Sequence, residues 1–136
     1  MKYIVGDIGN TSTKICILNN RFKIMKSFDF DTISIYKKNY LKMILKNYLK
    51  KNINQNLLFS SVVPSALKEI KKVFRLTKYK LFEIKDFNLK KIIKINVKNK
   101  MQLGSDRIAN AIGAKKYKNC LIIDFGTATT FDIIRN

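Results

Sequence analysis

Two stretches of the sequence place a carboxylate at the end of an apolar run and follow it with a turn rich in glycine and hydroxyl groups. They are Ile4–Ile17 and Leu121–Ile134, which align on Asp7 and Asp124. In each stretch the first apolar run predicts a buried strand, and the second predicts a strand that returns beside it. The sequence therefore predicts two similar hairpins, each with a carboxylate beside its turn.

The turn residues have the chemistry that a phosphate site needs. We expect Gly9 and Gly126 to adopt positive φ and to let the backbone approach a ligand closely. Successive turn N–H groups can then point at phosphate oxygens. The Asp7 and Asp124 carboxylates would repel phosphate, so we expect them to hold a cation that contacts it. Side-chain donors in the two turns come from Asn10, Thr11, Ser12, Thr13, Thr127, Thr129 and Thr130.

An ordinary hairpin is the alternative interpretation of each stretch, because Asp and Gly are common turn residues. For one copy alone we would favour that alternative. Two copies that share several aligned positions weaken it. The sequence therefore favours two turns that hold a polyphosphate between them.

A third candidate for chemistry is the tetrapeptide Gly104-Ser105-Asp106-Arg107, at a predicted junction between a loop and a helix. Amides at a helix N-terminus favour anions, and a carboxylate can accept a proton. The alternative is that Ser105 or Asp106 caps the helix and that Arg107 is a surface charge. The tetrapeptide by itself favours the capping alternative.

The elements that must position these residues follow from the spacing of apolar side chains. Alternation with a period of two predicts strands, and a spacing of three to four residues predicts helices. Strands outside the first hairpin are predicted at Phe22–Phe28, Leu57–Val63, Lys80–Ile84, Lys90–Val97 and Cys120–Asp124. Helices are predicted at Tyr36–Lys51, from Pro64 to about Leu76, and from near Ser105. This order of elements indicates an α/β fold with a mixed sheet.

The composition is typical of a cytoplasmic globular protein. The length of 136 residues suits about one domain, and an apolar fraction of 46% argues against disorder. We expect no membrane span and no secretory signal, because Asp7 interrupts the only apolar run near the start. Cys16 and Cys120 lack partner spacing and histidine is absent, so we expect neither a disulfide framework nor a zinc site.

The formal net charge of +19 is the strongest anomaly of the composition. It could indicate nucleic-acid binding or an attraction for anionic substrates. The lysines, however, are spread over nearly every predicted element, and no cluster of arginine with aromatic residues occurs. We therefore favour a solvated lysine surface and do not expect specific nucleic-acid binding.

Four stretches together resemble one protein family. GDIGNTSTK and DFGTATTFD resemble the two phosphate motifs of the actin-like ATPase and sugar-kinase superfamily. SSVVP and LGSDRIANAIGA agree with one family within it, the type III pantothenate kinases. The four stretches are Gly6–Lys14, Asp124–Asp132, Ser60–Pro64 and Leu103–Ala114.

The resemblance implies a fold of the ribonuclease H-like, actin-like ATPase kind. It places an N-terminal actin-like ATPase domain at residues 1–117 and the start of a second, incomplete actin-like domain at residues 118–136. Members of the family continue with further strands, helices and a Gly-rich segment near the adenine of ATP. We therefore interpret the sequence as an N-terminal portion and expect it to be inactive alone.

The activity that the resemblance implies is the phosphorylation of pantothenate by ATP to 4′-phosphopantothenate, the first step of coenzyme A biosynthesis. It also implies Mg²⁺, a monovalent cation (K⁺ or NH₄⁺) and a cytoplasmic homodimer. One alternative is another small-molecule kinase or ATPase of the same superfamily. A second alternative is a non-catalytic basic regulatory protein on this fold, which the charge supports.

The resemblance also assigns roles around the tetrapeptide. Asp106 corresponds to the base for the pantothenate hydroxyl, with Gly104, Ser105 and Arg107 at the same substrate. Asn110 lies one helical turn after Asp106 and could support it. The family usually has a Tyr and a Pro shortly before this motif, and the sequence has Val97 and Lys100 there. We expect this departure to affect substrate affinity.

The remaining roles that the resemblance implies concern the two hairpins. Asp7 would lie at the Mg²⁺ that bridges the ATP phosphates, and Asp124 would bind the K⁺ ion. Asp132 could brace the second hairpin. The residues that would contact ATP are Asp7, Ile8, Gly9, Asn10, Thr11, Ser12, Thr13, Lys14 and Thr127.

Overall fold

The computed structural model describes residues 1–46, 49, 52–75 and 77–135, and for Met101 the backbone alone. Within these residues the chain forms seven strands and three α-helices. The strands are β1 (Tyr3–Ile8), β2 (Ser12–Leu18), β3 (Ile24–Asp31), β4 (Asn56–Ser61), β5 (Lys80–Glu83), β6 (Cys120–Phe125) and β7 (Thr129–Ile134). The helices are α1 (Tyr40–Leu45), α2 (Pro64–Phe74) and α3 (Ser105–Ala114). The predicted α/β class is confirmed.

The chain divides into two compact units, Met1–Glu83 and Ile84–Asn136. The predicted domain boundary between residues 117 and 118 marks a different feature, the start of a second structural copy. That boundary stays a prediction.

The first unit is built on a mixed five-stranded sheet in the order β3-β2-β1-β4-β5. β1 pairs antiparallel with β2 and parallel with β4, so it lies at the centre. Tight turns join the antiparallel strands, and α2 makes the crossover between the parallel strands β4 and β5. Pro64 begins α2 at its first turn, where the missing N–H of proline costs nothing.

The core of the first unit follows from the alternation of side chains along β1 and β2. Because neighbouring residues point to opposite faces, one face collects the isoleucines and the other collects Asp7 and Lys14. Burial of each large side chain in this core contributes about 1.5–3 kcal/mol. Phe59 of β4 packs so closely on Gly6 that a Cβ at Gly6 would overlap its ring. The buried residues include Ile4, Ile8, Ile15, Ile17, Leu41, Leu45, Leu57, Phe59, Ile70 and Phe74.

The second unit packs α3 against one face of the antiparallel pair β6–β7. Ile84, Leu103 and Ile108 form its buried cluster, with half-buried side chains around them. The opposite face of β6–β7 is apolar and exposed. Its side chains are Leu121, Ile123, Phe125, Phe131 and Ile133.

One predicted strand is wrong. Lys90–Val97 forms no strand; a short 3-10 turn covers Leu89–Lys91, and irregular backbone follows. Ile93 and Ile95 instead pack as half-buried side chains against the Ile108 cluster. Alternation of apolar and polar residues indicates only that one side of a segment is buried. Here residues of α3 cover that side, and no neighbouring strand is needed.

Several predicted boundaries move. β3 begins after Phe22, whose φ of 57° belongs to the turn, and it continues past Phe28 to Asp31. The helix predicted from Tyr36 begins only at Tyr40, because Asn39 has a φ of 62° and interrupts the helical backbone. The predicted helical positions Tyr48, Lys51 and Leu76 lie outside the described residues.

The cysteines and the helices can be compared with what the sequence predicts. Cys16 and Cys120 are both free thiols. In the part of the chain that the structure describes, none of the helices has the length and apolar character that a bilayer crossing requires.

Candidate active site

The turn of the first hairpin is held closed by its own backbone. The Gly9 N–H donates to the Ser12 carbonyl at 2.9 Å, and a Cβ on Gly9 would lie 3.0 Å from that oxygen. A side chain at this position would therefore be tightly placed against the Ser12 carbonyl, which favours glycine. Neither Gly9 nor Gly126 has a positive φ, so that part of the expectation is wrong. The side chains of Asn10, Thr11 and Ser12 are exposed at the turn and open to a ligand.

A buried pair of threonines supports this turn from below. The Thr32 hydroxyl donates to the Gly9 carbonyl at 2.7 Å. Because that hydroxyl has only one proton, the Thr13 hydroxyl must be the donor in the 2.9 Å contact between Thr13 and Thr32. The Thr32 N–H also donates to the Thr11 carbonyl at 2.8 Å. Thr32 is thus a part of the site that the sequence analysis missed.

The predicted ATP-binding residues differ in their exposure to solvent. Ile8 and Thr13 are fully buried, so any contact of theirs with a ligand would use the backbone. The Lys14 ammonium lies 3.3 Å from the Asp29 carboxylate, and both side chains are more than half exposed. Such a surface pair contributes at most about 1 kcal/mol, so Lys14 can exchange Asp29 for a ligand at little cost.

Asp7 is held in place by a serine on the neighbouring strand. Parallel pairing of β1 with β4 sets Asp7 opposite Ser60, and the Ser60 hydroxyl donates to Asp7 Oδ1 at 2.5 Å. In the described residues no hydrogen bond is recorded for Asp7 Oδ2. One carboxylate oxygen of Asp7 is therefore fixed by Ser60. SSVVP resembles a stretch of the family, but the sequence alone predicts no role for Ser60.

The tetrapeptide lies at the start of α3, as predicted. Gly104 is the N-cap residue, and no side chain caps the helix. The Asp106 carboxylate instead accepts a hydrogen bond from the Arg107 N–H at 2.8 Å. Neither Ser105 nor Asp106 is the N-cap residue, but the Asp106 carboxylate does satisfy one of the free N–H groups in the first turn of α3, so the capping alternative stays open for Asp106. Ser105 is buried, so a substrate contact by this residue would also use its backbone.

Arg107 forms a forked ion pair with Asp132 of β7. Its Nε donates to Asp132 Oδ1 at 3.0 Å and to Oδ2 at 3.1 Å, and its Nη2 donates to Oδ1 at 2.5 Å. The hydrogen bonds that Arg107 donates to Asp132 raise the pKa of Arg107 above its ordinary value. Asp132 thus does more than brace the hairpin. The signal available in the sequence was a carboxylate between the apolar residues Phe131 and Ile133 of a strand, which needs a partner when it faces a helix.

Asp124 lies on the same face of β6–β7 as Asp132. Asn110 of α3 donates to Asp124 Oδ2 at a long 3.5 Å. Thr130 lies directly opposite Asp124, and its buried Oγ1 has no hydrogen-bond partner in the described residues. Thr127 is exposed in the turn. Oxygen donors from Asp124 and Thr130 therefore share one face.

The described carboxylates do not form a metal-binding cluster. In the residues that the structure describes, no group of three or more His, Cys, Asp or Glu side chains could enclose a metal ion. The first unit brings Asp7, Ser60 and the turn residues together. The second unit brings Asp106, Arg107, Asn110, Asp124 and Asp132 together around α3. Any cation bound here would need ligands from water or from a phosphate.

Sequence comparison identifies the family. A family profile described as "Type III pantothenate kinase" matches residues 3–136. The chain belongs to the type III pantothenate kinase family. It is 47% identical over 133 residues to the type III pantothenate kinase of Pelagibacter ubique (strain HTCC1062), covering 96% of this chain and 53% of that protein. It is 38% identical over 147 residues to the enzyme of the same name from Ehrlichia canis (strain Jake), with the same coverage, 96% and 53%.

Two further comparisons define the extent and fold of this family member. The chain spans about half the length of the curated relatives that it matches, 53% in each case above. Among solved structures, it resembles a protein from Sinorhizobium meliloti assigned as a 2-dehydro-3-deoxygalactonokinase, with a TM-score of 0.54 and 10% identity. That match covers 98% of this chain and 50% of the other. It confirms the predicted actin-like, sugar-kinase fold.

Proposed function

We propose that the protein to which this chain belongs transfers the γ-phosphoryl group of ATP to pantothenate, giving ADP and 4′-phosphopantothenate. This is the first step of coenzyme A biosynthesis. The observation that carries the proposal is the start of α3, where the Asp106 carboxylate stands beside an arginine fixed by Asp132. The family membership over residues 3–136 supports the same reaction.

In this proposal Asp106 is the catalytic base, and Gly104, Ser105 and Arg107 bind the substrate. Phosphoryl transfer depends mainly on positioning and on charge neutralisation. Asp106 orients the pantothenate hydroxyl and accepts its proton as the oxygen bonds to the γ-phosphorus and the bond to ADP breaks. The Arg107 N–H already holds one oxygen of Asp106, which leaves the other oxygen for the hydroxyl.

The first hairpin supplies the main ATP contacts. We assign the exposed side chains of Asn10, Thr11 and Ser12 to the phosphates, together with the backbone of Ile8, Gly9 and Thr13 and the ammonium of Lys14. The buried Thr32 hydroxyl keeps this turn in one conformation. In the second hairpin, Thr127 takes the corresponding role. Preorganised donors of this kind cost little reorganisation when the ligand binds.

Two cations complete the proposal, and the residues present fit them. Mg²⁺ usually binds through one or two carboxylates plus phosphate oxygens and water, which suits the single, exposed carboxylate of Asp7. A monovalent cation, K⁺ or NH₄⁺, suits the oxygens of Asp124 and Thr130, because the Thr130 hydroxyl lacks a partner in the described residues. When bound, the cations neutralise phosphate charge.

We also propose that the protein acts as a cytoplasmic homodimer, as the family resemblance implies. Val97, where the family has Tyr, lines an open cleft of about 740 Å³ together with Lys98, Asn99, Gln102 and Arg107. A tyrosine there would close part of that cleft. We therefore expect weaker pantothenate binding than a tyrosine at this position would give.

The test is pantothenate-dependent release of ADP by the complete gene product, with and without the substitution Asp106→Asn. We expect the variant to lose about 10²–10⁴-fold in kcat, the usual contribution of a positioned base. Asp86→Asn is the control, because Asp86 is an exposed carboxylate in the same unit. Retained turnover in Asp106→Asn would contradict the assignment.

The same assay separates the alternatives. ADP release that depends on another small alcohol and not on pantothenate would favour a different kinase of the superfamily. DNA binding that persists at moderate salt would favour a regulatory protein, because nonspecific lysine contacts weaken steeply as salt rises.

A further inference from the structure

The Arg107–Asp132 pair has a geometry that fixes one edge of the guanidinium and leaves another open. Asp132 occupies the edge formed by Nε and Nη2, and the Phe131 carbonyl accepts a weak bond from Nη2 at 3.4 Å. For Nη1, no hydrogen bond is recorded within the described residues. The open edge of the arginine therefore carries the two N–H donors of Nη1.

The pair is also partly removed from solvent. The Arg107 side chain is 32% exposed and that of Asp132 is 15% exposed. An arginine side chain has many rotamers, and a forked contact at this depth restricts them to one arrangement. Asp132 can form this contact because it shares the face of β7 that packs on α3.

Arg107 lines two cavities that a ligand could enter. Arg107 lines the 740 Å³ cleft near Val97 and Gln102, and it also lines a second cavity of about 410 Å³. Ile93, Ile95, Ile108 and Ala111 give the second cavity an apolar wall, and Asp132 lines it too. Both cavities lie within the second unit.

The charge of the pair decides what the open edge can recognise. The negative charge of Asp132 offsets the positive charge of Arg107, so the pair itself offers hydrogen bonds with little net charge. Lys98 in the first cavity and Lys94 in the second remain as the cations that a carboxylate would meet. Such an edge suits an uncharged oxygen, a carbonyl or a hydroxyl, better than a carboxylate. A lone arginine would instead favour the carboxylate.

We propose that Asp132 is a positioning residue that fixes Arg107 so that Nη1 donates to an uncharged oxygen of the substrate. This inference rests on the proposed function, in which Arg107 binds pantothenate. Pantothenate has such oxygens in its amide carbonyl and its hydroxyls. Its carboxylate would then be bound by other groups.

The first test needs no activity. In the ¹⁵N-labelled complete gene product, the Nε–H signal of Arg107 can be identified by its loss in Arg107→Lys. We expect this signal to exchange slowly with water, unlike those of the exposed Arg21, Arg75 and Arg135. Asp132→Asn should make it exchange as fast as the others. Equal protection of the Arg107 Nε–H from exchange in both proteins would show that Asp132 does not fix Arg107.

The second test uses the complete gene product and two acceptors, pantothenate and pantothenol, in which an alcohol replaces the carboxylate. We expect Asp132→Asn to raise KM about tenfold for both, within the range for a hydrogen bond to a charged group, and to change kcat less. Asp132→Glu should restore part of the loss. If Asp132→Asn does not fold, Arg107→Lys, which lacks the planar fork, should give the same KM pattern.

Each outcome has a distinct meaning. Unchanged KM values in a folded Asp132→Asn variant would overturn the positioning role. A rise confined to pantothenate would overturn the uncharged oxygen as the partner of Nη1. Absence of pantothenate turnover in the unmodified protein would overturn the proposed function and its substrate, whereas the exchange experiment would still decide whether Asp132 fixes Arg107.

Discussion

The two hairpins look alike in sequence but pair differently. A shift of 117 positions superposes Asp7 on Asp124 and Lys14 on Phe131. In the first hairpin Asp7 lies opposite Lys14, whereas in the second Asp124 lies opposite Thr130 and not Phe131. The second hairpin is therefore out of step with the first by one residue.

This single step changes which side chains share a face. Because side chains alternate along a strand, a shift of one residue exchanges the two faces. Thr13 points into the core, away from Asp7, and bonds Thr32. Its counterpart Thr130 lies on the Asp124 face, and so does Asp132, which thereby reaches Arg107.

The surroundings differ as well. β1 lies at the centre of a five-stranded sheet, with Ser60 holding Asp7 on one side. Among the described residues β6 pairs with β7 alone, and the outer face of this hairpin is exposed. Motif similarity thus identifies a carboxylate beside a glycine turn. The register and the neighbouring elements determine what that carboxylate can do.

The largest expected difference between the hairpins concerns Gly6 and its counterpart Ile123. Gly6→Val should destabilise the chain by roughly 3 kcal/mol, because the new side chain would overlap the ring of the buried Phe59. Ile123 is 44% exposed, so Ile123→Ala should cost less than about 1 kcal/mol. Urea denaturation of both variants measures the two effects. Equal losses would mean that β1 and β6 are packed alike.

The second expected difference concerns the hydroxyl beneath each turn. Thr32→Val removes the group that joins Thr13 to the Gly9 carbonyl, and it should cost about 1–2 kcal/mol because buried polar groups lose their partners. Thr130→Val is the comparison in the second hairpin, where Thr130 is the counterpart of Thr13. It should be close to neutral, because no partner is recorded for that hydroxyl in the described residues. Thermal denaturation measures both losses of stability. A loss for Thr130→Val as large as that for Thr32→Val would contradict this expected difference.

The smallest expected difference concerns the groups that hold the two carboxylates. Ser60→Ala should weaken binding of Mg²⁺ with ATP about threefold to tenfold, since it removes a short hydrogen bond to Asp7. Asn110→Ala should change cation binding at Asp124 by less, because its contact is 3.5 Å long. Calorimetric titration measures both.

A control accompanies that titration. Ser27→Ala changes an exposed hydroxyl on β3 in the same sheet and should leave ATP binding unchanged. If Ser27→Ala and Ser60→Ala behave alike, Ser60 has no special role at Asp7.

Local patterns explain what the sequence could predict. The start of α3 at Ser105, the strand ends at Asp7 and Asp124, and the α/β class all depend on residues close together in the chain. The segment Lys90–Val97 shows the limit, because its alternation could not reveal that a helix, and not a strand, covers it.

Contacts between distant residues explain what the sequence could not predict. Asp7 and Ser60 are 53 residues apart, and Arg107 and Asp132 are 25 apart. Both contacts depend on the pairing of strands and the packing of α3. The one-residue step between the hairpins was equally hidden, since the aligned motifs suggested the same register for both.

Cross-strand Hα–Hα contacts in the NMR spectrum of the 136-residue chain test the central claim most directly. We predict contacts between the pairs of β6 and β7 that do not exchange backbone hydrogen bonds, where opposed Hα atoms lie closest, namely Phe125 with Thr129 and Ile123 with Phe131. Contacts that pair Phe125 with Thr130 would give the second hairpin the register of the first. Asp132 would then lie on the opposite face, away from Arg107, and it could not fix that arginine.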